Sequence, residues 1–165
     1  MNIFNMFKKD PSESWPKYGR MPLTLDLRDF RLNQIKIGDK PEALMSFGKP
    51  DNKKPFQNNS FQYDDLGCLV EIYDGVIGYF AVAIQKDEYT PFGPADVKLI
   101  APNAKSLQVK ETTLESKIHE LLGMPRKKDV DNIEIIDFYE IKNHELEIEY
   151  TLQKTVKRLN LFQKS

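Results

Sequence analysis

The sequence predicts an α+β fold: two tandem β-α-β-β-β repeats, each a helix packed on a small antiparallel sheet. Three observations lead there. First, similar runs recur about 75 residues apart. Ile35–Glu42, Phe47-Gly48-Lys49-Pro50 and Val70-Glu71-Ile72 answer to the segment from Leu107 to Glu115, Leu122-Gly123-Met124-Pro125 and Leu146-Glu147-Ile148. Gly48 and Gly123 lie 75 residues apart, and Glu71 and Glu147 lie 76 apart. A fixed period marks one supersecondary unit used twice, and repeated units more often build surfaces than active sites. Second, apolar and polar residues alternate in runs after each expected helix, the period of a half-buried strand. Third, neither one helix nor a three-stranded sheet is stable alone, so the two halves are expected to pack as one unit.

Residues 1–22 read as an irregular lead-in, with Pro11, Pro16, Gly19 and Pro22 as breakers. At its start, Ile3, Phe4, Met6 and Phe7 could gather on one side of a turn, either docking on the domain or forming a weak anchor edged by Lys8 and Lys9. The first repeat is expected over 23–85. Leu23-Thr24-Leu25-Asp26-Leu27-Arg28 alternates as a strand. Asp39 is expected to cap a short helix, with Glu42 reaching back and Pro41 in the first turn, where its missing N–H is not needed. Gly48 and Pro50 end it. The polar stretch from Asp51 to Ser60 reads as a loop, followed by strands over 60–64, 68–73 and 76–84. Asp74-Gly75 between the last two is a two-residue hairpin signal, because both residues tolerate positive φ.

Residues 86–96, with Pro91, Gly93 and Pro94, read as the linker, and 97–165 as the second repeat. There Val97 opens a strand. Thr112 is expected to cap a helix whose apolar stripe is Leu114, Ile118, Leu121 and Leu122, with Glu115 as its reciprocal partner and Gly123 and Pro125 as its stop. Strands follow over 133–141, 144–151 and 155–162.

A run of the form I-x-I-G-D-x-x-E-x-L-x-x-F-G-K-P, from Ile35 to Pro50, resembles the helical opening of small tandem-repeat α/β proteins. These are the proteins akin to the beta-lactamase-inhibitory protein and to the outer-membrane assembly lipoprotein domain of the SmpA/OmlA type. In that group a capped helix ending in G-x-P leads into an antiparallel sheet. The likeness covers roughly residues 32–84, with a weaker echo at 107–162. It implies a non-enzymatic protein-binding scaffold. The chain departs from the group in carrying a single cysteine and in an N-terminal stretch that does not read as an export signal.

Bulk composition narrows the field further. A formal net charge of −1 gives no general attraction to nucleic acid or acidic lipid. Cys68 is the single cysteine, which excludes an intramolecular disulfide and any CxxC zinc or redox motif. No stretch approaches the ~20 apolar residues needed to span a bilayer. The expected setting is therefore reducing and cytoplasmic, with no membrane span.

No catalytic, cofactor-binding or metal-ligating set is predicted. His119 and His144 lack HxxxH, HExxH or triad-like spacing and are expected at the surface. Cys68 alternates with Val70 and Ile72 and reads as core. Asp64-Asp65 and Asp129-Val130-Asp131 read as turn carboxylates. Glu145, Glu147 and Glu149 share one strand face, either as an acidic stripe for a basic partner or as a solvated face balanced by Lys154 and Arg158.

The candidate partner surface is Leu69, Glu71, Tyr73, Ile77 and Tyr79, predicted on the face opposite the first helix. Lys53, Lys54 and Phe56 of the 51–60 loop join it. Such an apolar patch is covered either within the chain or by a partner. The function expected is a cytosolic protein-binding module with an unidentified protein partner, of inhibitor or immunity type. The alternatives are a small hydrolase or transferase using carboxylates, and a homodimer formed through the tyrosine face.

Overall fold

The structure, a computed structural model, describes residues 9–88, 90 and 92–164. The expected apolar turn at the N-terminus falls almost wholly, and Pro91 wholly, outside those residues. The fold is mixed α+β, built on two sheets. The first sheet contains β1 (Leu23–Asp26), β2 (Arg31–Leu32), β3 (Ile35–Lys36), β7 (Val97–Ile100) and β8 (Ser106–Val109) in the order β3-β2-β1-β7-β8. The second contains β4 (Ser60–Tyr63), β5 (Cys68–Tyr73), β6 (Val76–Ala83), β9 (Lys127–Val130), β10 (Ile135–Ile141), β11 (His144–Tyr150) and β12 (Val156–Gln163) in the order β4-β5-β6-β12-β11-β10-β9. Among the described residues there are also helices α1 (Pro55–Asn58) and α2 (Glu115–Leu122) and 3-10 turns at Pro11–Ser14 and Pro41–Ser46.

Both sheets are continuous across the two halves of the chain. β1 and β7 pair in parallel, Leu23 with Val97 and Leu25 with Leu99, whereas β6 and β12 pair antiparallel, Phe80 with Leu161 and Val82 with Leu159. The inner faces meet in one core. Leu23, Leu25, Leu32 and Ile35 of the first sheet belong to one buried cluster with Phe61, Cys68, Val70, Phe80, Leu146, Ile148, Leu159 and Leu161 of the second. Burying each large aliphatic or phenyl side chain contributes about 1.5–3 kcal/mol, so this layer is what joins the halves. Cys68 is fully buried, as the alternation predicts, and burial pushes its thiol pKa well up.

Both expected helix caps are corrected. Pro41–Ser46 is a 3-10 helix preceded by Lys40, which makes no side-chain cap bond. Asp39 instead accepts the Lys36 N–H at 2.8 Å, bracing the turn before the helix. Leu114, not Thr112, precedes α2, and Glu115 N–H donates to the Lys154 carbonyl, so a strand connection satisfies that helix end. The loop expected over 51–60 contains α1, and β2, β3, β8 and β9 are additional strands.

Sheet edges are blunted. Along β4, Asn52 bridges the Gln62 N–H and the Ser60 carbonyl while Asp51 accepts the Asp64 N–H. At the far edge, all four residues of β9 are exposed and three are charged.

His144 is buried rather than exposed, its ring stacked on Phe30 with centroids 3.6 Å apart. Burial, reinforced by Lys36 and Lys142, holds its pKa below the ordinary value. Above the ordinary imidazole value of about 6.5 the ring is neutral in folded and unfolded chains alike. As pH falls through that value the unfolded chain takes up a proton that the folded one refuses until lower pH, so stability declines. In urea unfolding, the wild type is expected to lose more stability between pH 7.5 and 5.5 than His144→Phe, which keeps the stacking. Equal losses would contradict this.

Candidate functional site

The outer face of the seven-stranded sheet carries the first group of candidate residues. Cross-strand pairing places Glu71, Tyr79, Phe162 and Glu145 in one row across β5, β6, β12 and β11. The adjacent row is Leu69, Ala81, Asn160 and Glu147, and the next contains Ala83, Arg158 and Glu149. A polar network ties the middle together. Tyr79 donates to Asn160 at 3.0 Å, Asn160 donates to Glu149 at 2.8 Å, and Arg158 grips Glu149 with contacts of 2.7–3.1 Å. Such two-pronged guanidinium–carboxylate pairing fixes direction as well as charge.

Glu147 stands beside this network without an ion pair among the described residues. Burial, with Glu145 and Glu149 alongside, raises its carboxyl pKa above the usual range, although Asn160 and Arg158 oppose the shift. A half-buried carboxylate held in this way gains from an added cation.

The predicted partner surface is only partly assembled here. Tyr73 is 51% exposed and donates to Glu71 at 2.5 Å. Tyr79 and Leu69 are half-buried, packing beside a small second core of Ala81, Ala83 and Phe92. Phe92 thus covers part of the face from within the chain. Lys53 and Lys54 are exposed.

Two members are corrected. Ile77 is fully buried: the pairing slips between Glu71 with Tyr79 and Ile72 with Ile77, leaving Gly78 as the extra residue of a bulge and turning Ile77 to the interior. The Tyr73 ring lies over Gly78, where an added Cβ would come within 2.3 Å of it. Phe56 is not a free contact residue either, since it packs edge-on against Trp15 and Phe61 at 5.7 and 5.0 Å and so clasps the lead-in segment.

A second group lies on the inner face, under α2. Asp137 of β10 is fully buried between Ile135 and Tyr139. His119 of α2 contacts it, Nε2 to Oδ2, at 2.8 Å, and Glu115 lies one helical turn before His119, with its Oε1 4.0 Å from Nε2. Lys128 of β9 contacts Glu115 and stands 3.7 Å from Asp137 Oδ1, while Lys154 approaches Glu115 at 3.4 Å. Burial tends to raise the Glu115 pKa, but Lys128 and Lys154 outweigh it and hold the carboxyl below its usual range. Lys154 therefore serves Glu115 rather than the glutamates of β11.

His119 is half-buried and engaged, not a free surface residue. Two signals for this group were present in the chain: Glu115 and His119 at helical i,i+4 spacing, and Asp137 alternating with Ile135 and Tyr139. A nearby cleft of about 490 Å³ is lined by Leu122, Met124, Arg126, Tyr139 and Lys142, among others, and its lining does not include the Glu115–His119–Asp137 group.

The molecule is thus a two-sheet α+β protein with a polar outer face and a charged cluster beneath one helix. No family model matches the chain, and no curated protein does. Among solved structures it is similar to a DUF4309 family protein, YjgB, from Bacillus subtilis. That likeness has a TM-score of 0.55 at 13% identity, covering 83% of this chain and 88% of that one, and it is a likeness of fold. None of the described helices is long and apolar enough to cross a membrane.

Proposed function

We propose that this chain is a non-catalytic protein-binding module that receives a basic segment of its partner on the outer face of the seven-stranded sheet. It acts by occlusion, as an inhibitor or immunity protein does. Glu147 carries the reading: a half-buried carboxylate with no ion pair among the described residues, between two further glutamates and near Tyr79, whose ring packs on Phe162. A lysine or arginine from a partner would supply the missing charge there, and Tyr73 would offer an aromatic contact at the rim. The resemblance of Ile35–Pro50 to tandem-repeat inhibitory proteins supports the same reading. With it we propose that the halves are copies of one β-α-β-β-β unit, since Glu71 and Glu147 take matching outer-face places on β5 and β11. The setting proposed is the cytoplasm, where a lone thiol stays reduced.

Affinity capture from the native lysate tests the proposal, using the wild-type chain and Glu147→Lys side by side. The wild type is expected to retain a stoichiometric partner through a basic segment, and the reversed charge to weaken that complex about tenfold or more. Binding should also weaken as pH falls through the raised Glu147 pKa, because the protonated acid no longer attracts the cation. Equal retention by both chains would discard this face as the binding site. A doubled mass in size exclusion that Glu147→Lys abolishes would identify the partner as a second copy.

A further inference from the structure

We propose that Glu115, His119 and Asp137 form a binding site for a zinc-class divalent transition metal, in which Lys128 holds the place that the metal would take. The inference is independent of the outer-face reading.

One donor atom from each of the three residues lies within 4.8 Å of the other two. An imidazole nitrogen with two carboxylate oxygens is a donor set that suits zinc, with a fourth position left for water or another ligand. Four-coordinate zinc with bonds near 2.0–2.2 Å sets its donors roughly 3.4 Å apart. The observed 2.8 Å between His119 and Asp137 and 4.0 Å between His119 and Glu115 bracket that spacing. Both distances lie about 0.6 Å from it, a displacement of the size that side-chain rotation supplies.

A second observation singles this cluster out from a simple ion network. Asp137 is fully buried, yet its Oδ1 makes no hydrogen bond among the described residues, with Lys128 3.7 Å away. The fully buried Tyr150 hydroxyl lies against the same carboxylate and beside Tyr139, and is turned toward Asp137 without reaching good hydrogen-bond geometry. Buried polar atoms are satisfied in most folded proteins, so a buried carboxylate oxygen left with a poorly directed hydroxyl and an ammonium 3.7 Å away can take a stronger ligand. Bound zinc would engage Asp137, and the Tyr150 hydroxyl could then donate to the outer oxygen of that carboxylate.

Lys128 supplies the exchangeable charge. It belongs to the exposed edge strand β9 and its side chain is 34% exposed, so the ammonium can swing into water when a dication enters. Glu115 opens α2 and His119 follows one turn later, so the helix presents both to β10 without rearrangement.

The test is zinc titration by calorimetry on the untagged full chain after chelator treatment, repeated with Co²⁺ to read its visible absorption. The wild type is expected to bind one equivalent in the micromolar range, with a four-coordinate Co²⁺ spectrum. His119→Ala should lose at least tenfold in affinity. Lys128→Met, which removes the competing ammonium, should tighten binding about tenfold. A purely structural ion network predicts the reverse for Lys128→Met, a less stable protein with no gain in metal affinity. Absence of binding by wild type and Lys128→Met, or equal affinity in all three chains, would overturn the proposal. Circular dichroism of each variant separates loss of the site from loss of the fold.

Discussion

Gly67→Ala is expected to destabilise the chain by about 3 kcal/mol or more, adding left-handed backbone strain to a backbone collision. Gly67 has φ +70°, and an added Cβ would stand 2.3 Å from the Gly93 carbonyl oxygen and 2.5 Å from the Ala95 nitrogen. Neither atom belongs to a side chain that could turn aside. The segment it would strike is stitched to the sheet: Ala83 N–H donates to Gly67, Ala95 N–H to Ala83, and Gly93 N–H to Asp64. Pushing that strap away would uncover Phe92 and the small core of Ala81 and Ala83 on the outer face. Gly75→Ala is the control. Its φ is +77°, but nothing lies within 4 Å of the added atom, so only backbone strain of about 1 kcal/mol is expected. Urea unfolding of the two variants measures the difference, and similar midpoints would show that the strap yields freely.

Glu149→Ala should cost about 3 kcal/mol, the low end for breaking a buried ion pair by removing one partner. The low end applies because the Arg158 side chain keeps 25% exposure and water can partly replace the lost carboxylate. Asn160 also loses the acceptor that holds its amide, and through it the Tyr79 hydroxyl is loosened. Glu149→Gln retains one carbonyl acceptor and should lose less. A double-mutant cycle with Arg158→Ala reads the pair directly, since coupled neighbours depart from additivity. Additive losses would mean that the pair only decorates the face. Because Glu149 is the one glutamate of the three gripped by Arg158, its loss should also free the guanidinium for Glu147 and, on the proposed function, weaken the hold on a basic segment.

Much of the strand layout was legible because its signals are local. Alternation in Cys68–Tyr73 and His144–Tyr150, and the Asp74-Gly75 hairpin, act over a few residues, and the strands formed where those patterns stood. The slip at Gly78 was not legible. A bulge reverses which side chains face inward, and Ile77 fails as a surface residue for that reason alone. The edge strand β9 carries a single apolar residue, and β8 is only four residues long, so their pairing depends on neighbours more than on their own pattern.

The candidate sites divide in the same way. The glutamate stripe on β11 could be read from alternation, but its electrostatics could not. Arg158 arrives at Glu149 from the adjacent strand, whereas Lys154, closer to Glu149 in sequence, turns to Glu115. The Glu115–His119–Asp137 group needs α2 laid on β10, a contact set by the shared core beneath Ile118 and Tyr139.

By itself, then, the sequence determined the α+β class, most strand positions and the core role of Cys68, because periodicity and turn chemistry are properties of neighbouring residues. Tertiary structure alone decided that β1 lies parallel to β7, that β6 meets β12 antiparallel, and that a buried aspartate faces a histidine across the helix–sheet contact. Those pairings join residues far apart in the chain, and they follow from how two apolar faces exclude water together rather than from any local preference.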